Sequence, residues 1–339
     1  MATTNRESFE PRRNIPRVPR TEQLSRLKVL RWPSTCKARR VSFDGTGCSA
    51  GATSHRPSYD ALVQQHFRST LPYWEQIYAD RTVYGRIYQE RARRALACVD
   101  SIGLSSGSPV LEIGCGPGVV TTAIARKGVR VWAIDNLQEM VERTRAMTRG
   151  AGLGSRVFAQ VAHIDNVPFA DATFDLVVLI GVSEWLVSLT QPLREIFRVL
   201  KPGGHLIISA DNNWPLHQIL DPVFNPALKP LKSRIGRILR ATGRRTRRAR
   251  FHAYSLGRFD NDLANAGFDK IAGQTFGFGP FTLCNRRLLN EQAGWKLHLR
   301  LQELADKGVP LLRSAGLVYL VLARKRQSTR RVTSLLAPL

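Results

Sequence analysis

Cysteine is scarce in this chain, and no cysteine pattern indicates a structural site. The five cysteines are scattered, odd in number and never spaced as CxxC. No Cys/His cluster has the spacing of a zinc site either. These absences argue against a disulfide-stapled secreted fold and a zinc module, and a reduced, cytoplasmic setting fits best. We expect most of the cysteines to be small buried hydrophobes.

Long apolar runs are also missing. The longest, 176–182 and 315–323, fall far short of the ~20 residues of a transmembrane helix and are typical of buried strands. The N-terminus lacks the apolar core of a secretory signal, and its acids Glu7, Glu10 and Glu22 oppose an organelle transit peptide. Acids are few overall: 51 Lys and Arg face 26 Asp and Glu, a net charge of +25 that bears on partners rather than on fold.

The composition changes along the chain and predicts an arm, one domain and a tail. Residues 1–56 are rich in Arg and Pro, then in Gly, Ser and Thr, which indicates a disordered basic arm. The domain is predicted over 57–326, with a basic insertion at 215–250, and a loose tail follows at 327–339. Apolar residues spaced three and four apart predict two or three amphipathic helices before Gly103.

Strand and helix patterns then alternate. "PVLEIG", "VRVWAID", "RVFAQVA", "FDLVVLIGV" and "HLIISADN" are typical of buried strands, and helical patterns separate most of them. After the insertion a helix, a strand and a last strand, "GLVYLVLARK", complete the pattern. Alternation of this kind predicts an α/β fold with a doubly wound, mainly parallel sheet covered on both faces.

A glycine-rich turn carries the strongest functional signal. In "VLEIGCGPG" a buried strand runs directly into Gly114, Gly116 and Gly118, and a helix follows. Glycines let the backbone turn sharply and let a ligand approach without meeting a Cβ atom. The following helix N-terminus offers unpaired N–H groups that suit a carboxylate. Asp135 ends the next strand, where an acid can accept hydrogen bonds from ribose hydroxyls.

These segments resemble the class I S-adenosylmethionine-dependent methyltransferases, in particular the small-molecule group often called type 11. The ordered set "VLEIGCGPG", "AID", "VPFADATFDLVV", "GVSEWL" and "REIFRVLKPGG" carries the resemblance over about residues 70–210. It implies a Rossmann-like, seven-stranded sheet whose last strand is antiparallel. It also implies S-adenosylmethionine as the cofactor and methyl transfer to a small-molecule or lipid-like acceptor. The aromatic helices before the sheet are expected to form a lid.

The resemblance also implies roles for individual residues. The loop and Glu112 would hold the methionine part of the cofactor and Asp135 its ribose. His163 stands where relatives have an Asp that reads the adenine, and Ile180 would border the sulfonium. The cofactor-binding residues implied in this way are Glu112, Gly114, Cys115, Gly116, Gly118, Asp135, Asn136, His163, Ile164 and Ile180.

A general base is optional in methyl transfer, because the methyl carbon is already activated by the sulfonium. Where many relatives have Glu-His, this chain has Glu184-Trp185, so a histidine base is absent at that place. Asp211, His217 and Glu184 are the candidate bases. Each also has a structural interpretation, as a helix cap or a solvated loop residue.

Three other functions compete with this interpretation. An NAD enzyme needs GxGxxG, but Val119 stands where the last glycine would fall. The net charge would suit a nucleic-acid (RNA) methyltransferase, but the Asn-Pro-Pro-Tyr type motif of base-amine methylation and a recognised RNA-binding module are both missing. A non-catalytic methyltransferase-fold binding protein would keep the fold and bind the cofactor poorly.

The basic insertion suggests a membrane contact. Residues 229–250 hold ten Lys and Arg and no acid, and "LKSRIGRILR" could place its apolar residues on one helix face. That pattern is typical of a helix on an anionic membrane surface, so the protein would be cytoplasmic with a peripheral membrane contact. A solvated basic face, or a contact for an acidic substrate, explains the pattern equally well.

Overall fold

The computed structural model describes residues 58–228, 252–284 and 286–327. The predicted arm at 1–56, most of the basic insertion and the tail after residue 327 lie outside these ranges. The division of the chain into arm, domain and tail therefore stays a prediction.

Three helices precede the sheet: α1 (Tyr59–Ser69), α2 (Leu71–Gln76) and α3 (Val83–Ile102). The Thr82 side chain caps α3 by accepting a hydrogen bond from the backbone N–H of Gly85. Gly103 ends α3 in the left-handed region at φ 69°, which favours glycine. The predicted helices and their end at Gly103 are confirmed.

Seven strands form one sheet, and a small hairpin lies outside it. The strands in chain order are β1 (Pro109–Ile113), β2 (Arg130–Asp135), β3 (Val157–Val161), β4 (Phe174–Leu179), β5 (Leu200–Asp211), β6 (Phe268–Phe276), β7 (Thr282–Leu283), β8 (Arg286–Arg287) and β9 (Val318–Lys325). The sheet order is β3-β2-β1-β4-β5-β9-β6, with β9 antiparallel to both neighbours and β7–β8 forming the hairpin. This confirms the predicted seven-stranded, mainly parallel sheet with an antiparallel last strand.

Helices cover both faces of the sheet. They are α4 (Val119–Ala125), α5 (Gln138–Gly150), α6 (Thr190–Val199), α7 (Leu216–Leu220), α8 (Leu256–Asn265) and α9 (Glu291–Asp306). Alternate residues of each strand face opposite sides. In β1, Val110 packs with apolar residues of α3 and α4, whereas Leu111 packs with those of α6 and α8.

Three details differ from the sequence prediction. The helix expected to run to Pro202 ends at Val199, because the residues from Leu200 onward already pair with β4, and a residue before proline disfavours the helix. Helix α9 was not predicted. Of the three described cysteines only Cys115 is buried, while Cys98 is half-buried and Cys284 exposed, so the expectation of buried cysteines is wrong for Cys284.

Among the described residues, no helix is both long and apolar enough to cross a membrane.

Candidate functional site

A crevice opens where β1, β2 and β4 end at their carboxyl edge. Its walls come from the glycine turn after β1, the ends of β2 and β4, the segment after β3, and α1 and α2. It encloses about 1120 Å³ including its opening to solvent. In doubly wound folds ligands bind at this edge.

The glycine turn leaves a backbone cradle. Gly114, Gly116 and Gly118 all have positive φ, at 74°, 52° and 91°. A Cβ added to Gly118 would lie 2.8 Å from the Thr144 Cα, whereas one added to Gly116 would meet no protein atom within 4 Å. Gly118 is therefore needed for packing against α5, and Gly116 leaves open space within the crevice wall.

Asp135 lies at the end of β2 and is partly buried beside this turn. Its Oδ2 accepts from the Gly116 N–H and its Oδ1 from the Leu137 N–H, both at 3.0 Å. Burial raises the pKa of Asp135, and these backbone bonds oppose the rise. Each carboxylate oxygen has two acceptor sites, so the carboxylate retains capacity for two further donors.

Glu112 lines the crevice from within β1 and is buried. The Thr121 hydroxyl donates to its Oε2. Burial raises the pKa of Glu112 to about 8, the Thr121 bond lowers it and the nearby Asp135 raises it. Glu112 is therefore mostly protonated at neutral pH, and a cation in the crevice would favour its ionised form.

The residues expected near the adenine meet at one end of the crevice. Asn136, His163 and Ile164 all line it. His163 is partly exposed, with its Nε2 3.7 Å from Asp60 of α1, and Ile164 is buried. The Gln64 side chain of α1 donates to the Asn136 carbonyl at 3.1 Å, so α1 is joined directly to the end of β2.

Helices α1 and α2 roof the crevice with aromatic rings. Phe67, Trp74 and Trp185 line it. The Trp185 ring stacks on His66 and meets Phe67 edge-on, in both cases with centroids 4.9 Å apart. This confirms the expected helical lid and gives the crevice a wall that suits apolar or cationic groups.

A buried ion pair lies at the end of β4. The Arg91 Nη1 of α3 is 3.3 Å from Glu184 Oε1, and both side chains are less than a tenth exposed. The Cζ atom of the guanidinium lies 4.3 Å from the centroid of the Tyr88 ring. The guanidinium also lies so close to Gly181 that a Cβ atom at this position would clash with it. Arg91, Ile180 and Gly181 all line the crevice.

The three candidate bases lie outside the crevice lining. Glu184 is in a short 3-10 turn, where it pairs with Arg91 and caps no helix. Asp211 is the last residue of β5 and is buried. Burial raises the pKa of Asp211 well above its usual range, the nearby Glu184 raises it further, and Arg91 lowers it. Burial lowers the pKa of His217 in α7 to about 4, and its Nδ1 has no hydrogen-bond partner among the described residues.

The structure brings nine of the ten expected cofactor residues to the crevice wall, and Gly118 lies behind it. Sequence reasoning missed Arg91, whose partner is 93 residues away. It also missed Asp60 and Phe67 of the roof. The only available signal for Arg91 was a charge on the apolar face of α3. Phe276 and Phe278 are buried core residues and do not line the crevice.

The residues present fit S-adenosylmethionine. The space beside Gly116 admits a ligand backbone, Asp135 has free acceptor capacity for two ribose hydroxyls, and Glu112 offers a buried carboxyl for an ammonium group. Apolar Ile164 and Met140 line the end where a purine would lie.

Comparison with known proteins agrees with the fold and the crevice. Residues 111–208 match the family model described as "Methyltransferase domain". The chain is 28% identical over 169 residues to a sterol 24-C-methyltransferase of Eremothecium gossypii, covering 48% of this chain and 45% of that protein. It is 33% identical over 122 residues to the ubiquinone/menaquinone biosynthesis C-methyltransferase UbiE of Geotalea daltonii, covering 35% of this chain and 52% of that protein.

A solved structure shares the fold. The 4+2 cyclase SpnF superposes with a TM-score of 0.52 at 17% identity, over 78% of this chain and 95% of that one. The chain spans about half the length of the curated relatives it matches. The segment 111–208 thus matches a methyltransferase-domain model, and it contains most of β1, β2–β4 of the sheet and most of the residues that line the crevice.

Proposed function

We propose that this protein transfers the methyl group of S-adenosylmethionine to a small-molecule or lipid-like acceptor. The observation that carries the proposal is the crevice at the ends of β1 and β2, where Asp135, Glu112 and the space beside Gly116 meet. The match of residues 111–208 to the methyltransferase model supports it.

The protein's own groups bind, orient and exclude water. When bound, the cofactor supplies a methyl group activated by its sulfonium. Asp135 fixes the ribose by charge-assisted hydrogen bonds, each contributing about 1.5–3 kcal/mol. Glu112 and the loop N–H groups hold the amino-acid end. Phe67, Trp74 and Trp185 shield the crevice from water and favour the cationic sulfonium. Alignment of this kind can contribute about 7–11 kcal/mol toward the barrier.

Where the acceptor loses a proton, we assign Asp211 as the proton acceptor, with Glu184 and Arg91 as positioning residues. Asp211 and Glu184 are both buried with raised pKa, and Arg91 connects them to the crevice wall beside Ile180. None of the hydrogen bonds between described residues is accepted by the Asp211 carboxylate, which leaves its oxygens available. His217 is the weaker candidate, because its lowered pKa makes it a poor proton acceptor.

The acceptor is proposed to be largely apolar. The roof is aromatic, and the curated relatives are named as methyltransferases of sterols and of ubiquinone and menaquinone. The membrane contact suggested by residues 229–250 is proposed from their sequence alone.

The test is to incubate the protein with isotopically labelled S-adenosylmethionine and fractionated extract, then identify by mass spectrometry which molecule gains the labelled methyl group. A polar extract and a lipid extract are run in parallel, with Gly116→Val, whose side chain would enter the crevice, as the inactive control. Labelling of a lipid fraction by the wild type alone supports the proposal, and labelling of RNA would contradict it. With the acceptor known, Asp211→Asn should lower kcat while leaving cofactor affinity unchanged.

A further inference from the structure

Exposed apolar side chains are concentrated in one part of the molecule. Sixteen large hydrophobic side chains are exposed among the described residues, and seven of them fall within 214–228 and 281–288. Scattered exposed hydrophobes are ordinary, but a contiguous patch marks an interaction surface. We call six of these residues the apolar rim: Trp214, Ile219, Leu220, Leu228, Leu283 and Leu288.

Local contacts join the two segments into one surface. The Thr282 hydroxyl of the β7–β8 hairpin donates to Asp221, which follows α7. The Leu288 N–H donates to the Phe281 carbonyl at 3.1 Å, closing the hairpin. Leu216 and Phe281 pack inward against the buried Phe278 and Ala315. The inner apolar residues of both segments therefore have their partners within the fold, while the rim residues remain turned to solvent.

Basic residues flank the rim in the sequence. Arg286 and Arg287 are exposed between Leu283 and Leu288, and Arg287 is paired with Glu291. After Leu228, the sequence continues through 229–250 with ten Lys and Arg and no acid. Apolar side chains flanked by basic ones complement a surface with an apolar interior and anionic headgroups. Trp214 adds an indole, a side chain enriched at the membrane–water interface.

The rim lies on the same edge of the sheet as the crevice. Segment 214–228 follows the carboxyl end of β5, and the hairpin follows the carboxyl end of β6. Since both strands are antiparallel to β9, they run in the same direction and end at the same edge. That edge is also where β1, β2 and β4 form the crevice.

We propose that the apolar rim docks this protein on the surface of an anionic lipid bilayer. Docking in this way turns the crevice edge of the sheet toward the lipid, so that a lipid-like acceptor passes from the bilayer toward the crevice. The delivery of an acceptor rests on the proposed function, whereas docking itself does not.

The test is vesicle flotation of the full chain. The vesicles are phosphatidylcholine alone, or phosphatidylcholine with about a third phosphatidylglycerol. The wild type should float with the anionic vesicles and stay at the bottom with the neutral ones, because both apolar burial and charge attraction are needed. Leu220→Glu should lower the partition coefficient about tenfold, and Leu220→Glu with Leu283→Glu about a hundredfold.

Ile271→Glu is the matched control. Ile271 is 55% exposed and Leu220 59%, but Ile271 lies on strand β6 away from the rim. Far-UV circular dichroism and thermal melting confirm that each variant is folded. Equal flotation of Leu220→Glu and Ile271→Glu would overturn the proposal. The proposal would also be overturned if the wild type did not bind vesicles and instead formed a dimer that Leu220→Glu dissociates. Sedimentation equilibrium measures this.

Flotation and cofactor binding are measured separately on the same variants. Leu220→Glu should bind S-adenosylmethionine like the wild type, since the rim lies outside the crevice lining. Lost flotation with intact cofactor binding supports docking. Intact flotation in a protein that labels no acceptor would contradict the proposed function alone.

Discussion

The carboxylate of Asp135 serves both the backbone and a ligand. It accepts the N–H groups of Gly116 and Leu137, so the glycine turn is already held in its binding shape by the residue that would bind the ribose. A change at Asp135 therefore affects both the turn and the ligand. Replacement by asparagine is milder than replacement by alanine, because one side-chain oxygen remains.

We expect Asp135→Asn to raise the Kd for S-adenosylmethionine roughly 10- to 100-fold, through the loss of about 1.5–3 kcal/mol of charge-assisted hydrogen bonding. Isothermal titration calorimetry measures the change. Asp175→Asn, at a surface ion pair with Lys201, is the control and should bind normally. An unchanged Kd in Asp135→Asn would show that this carboxylate does not bind the ribose.

The raised pKa of Glu112 predicts that cofactor binding is coupled to the release of a proton. Burial raises its pKa to about 8 in the unliganded protein, so the carboxyl is protonated at about pH 7. A bound ammonium or sulfonium favours the ionised form and lowers that pKa. Binding should therefore release close to one proton at about pH 7, and affinity should increase as the pH rises toward 8.

Calorimetry in buffers of different ionisation enthalpy measures the number of protons released. Glu112→Gln has nothing to release, so its observed enthalpy should be independent of the buffer. The same proton release in wild type and Glu112→Gln would show that another group titrates.

The residue that sequence reasoning could not find is Arg91. Its spacing in α3 marks it as a helix residue, but its partner Glu184 comes from a turn after β4, and only the tertiary fold joins them. Asp135 and the glycines were predictable because one local turn needs all of them. Asp60 and Phe67 were not, because their place depends on how α1 crosses the crevice.

At the scale of elements, a substitution in the β1–α4 turn can be tested separately for its effect on stability and its effect on cofactor binding. Gly116→Ala and Gly107→Ala share the same backbone strain, since both glycines have positive φ and no protein atom near an added Cβ. We expect each to lose about 1–2 kcal/mol of unfolding free energy. Only Gly116→Ala should lose cofactor affinity, by at least tenfold, because its methyl group enters the crevice.

Urea unfolding and titration with S-adenosylmethionine check the two effects. Gly116→Val should abolish binding. Normal affinity in Gly116→Ala would place the ligand elsewhere.

The α3–β4 contact depends on the Arg91–Glu184 pair. Arg91→Met leaves Glu184 buried without its cation, and breaking such a pair typically costs about 3–5 kcal/mol. Without Arg91 the pKa of Glu184 rises further, so the native state binds a proton that the unfolded state releases. Stability should therefore fall as the pH rises above the carboxyl's ordinary value.

Urea unfolding at about pH 5 and pH 8 measures this slope. Adding Glu184→Gln to Arg91→Met should reduce it, leaving the part that the buried Asp211 carboxyl contributes. A variant equally destabilised at both pH values would show that lost packing, rather than charge, dominates.

At the scale of the whole molecule, the seven-stranded, mainly parallel sheet and its antiparallel last strand were predictable from the resemblance and the alternation of strands and helices. Helix α9 was not, because its apolar spacing is interrupted by basic residues and it packs partly on α3. The start of β5 was misplaced because pairing with β4 outweighs local helix propensity at Leu200.

The position of the crevice between roof and sheet predicts global stabilisation by the cofactor. At a hundredfold excess over Kd, S-adenosylmethionine should add about 2.7 kcal/mol, which raises the Tm of a domain this size by roughly 5–10 °C. Differential scanning fluorimetry measures the shift. NAD should give none, and an equal shift with NAD would favour the dinucleotide interpretation.

The contacts between α1 and the end of β2 carry a kinetic consequence. Gln64 bonds Asn136 and Arg68 pairs with Glu139, so the roof is fastened on the side where the nucleoside would sit. Weakening these contacts would let α1 move away from the crevice wall more often on this side. Weakening the Gln64 or Arg68 contact should therefore shorten the residence time of the spent cofactor, while the rate of methyl transfer itself stays the same.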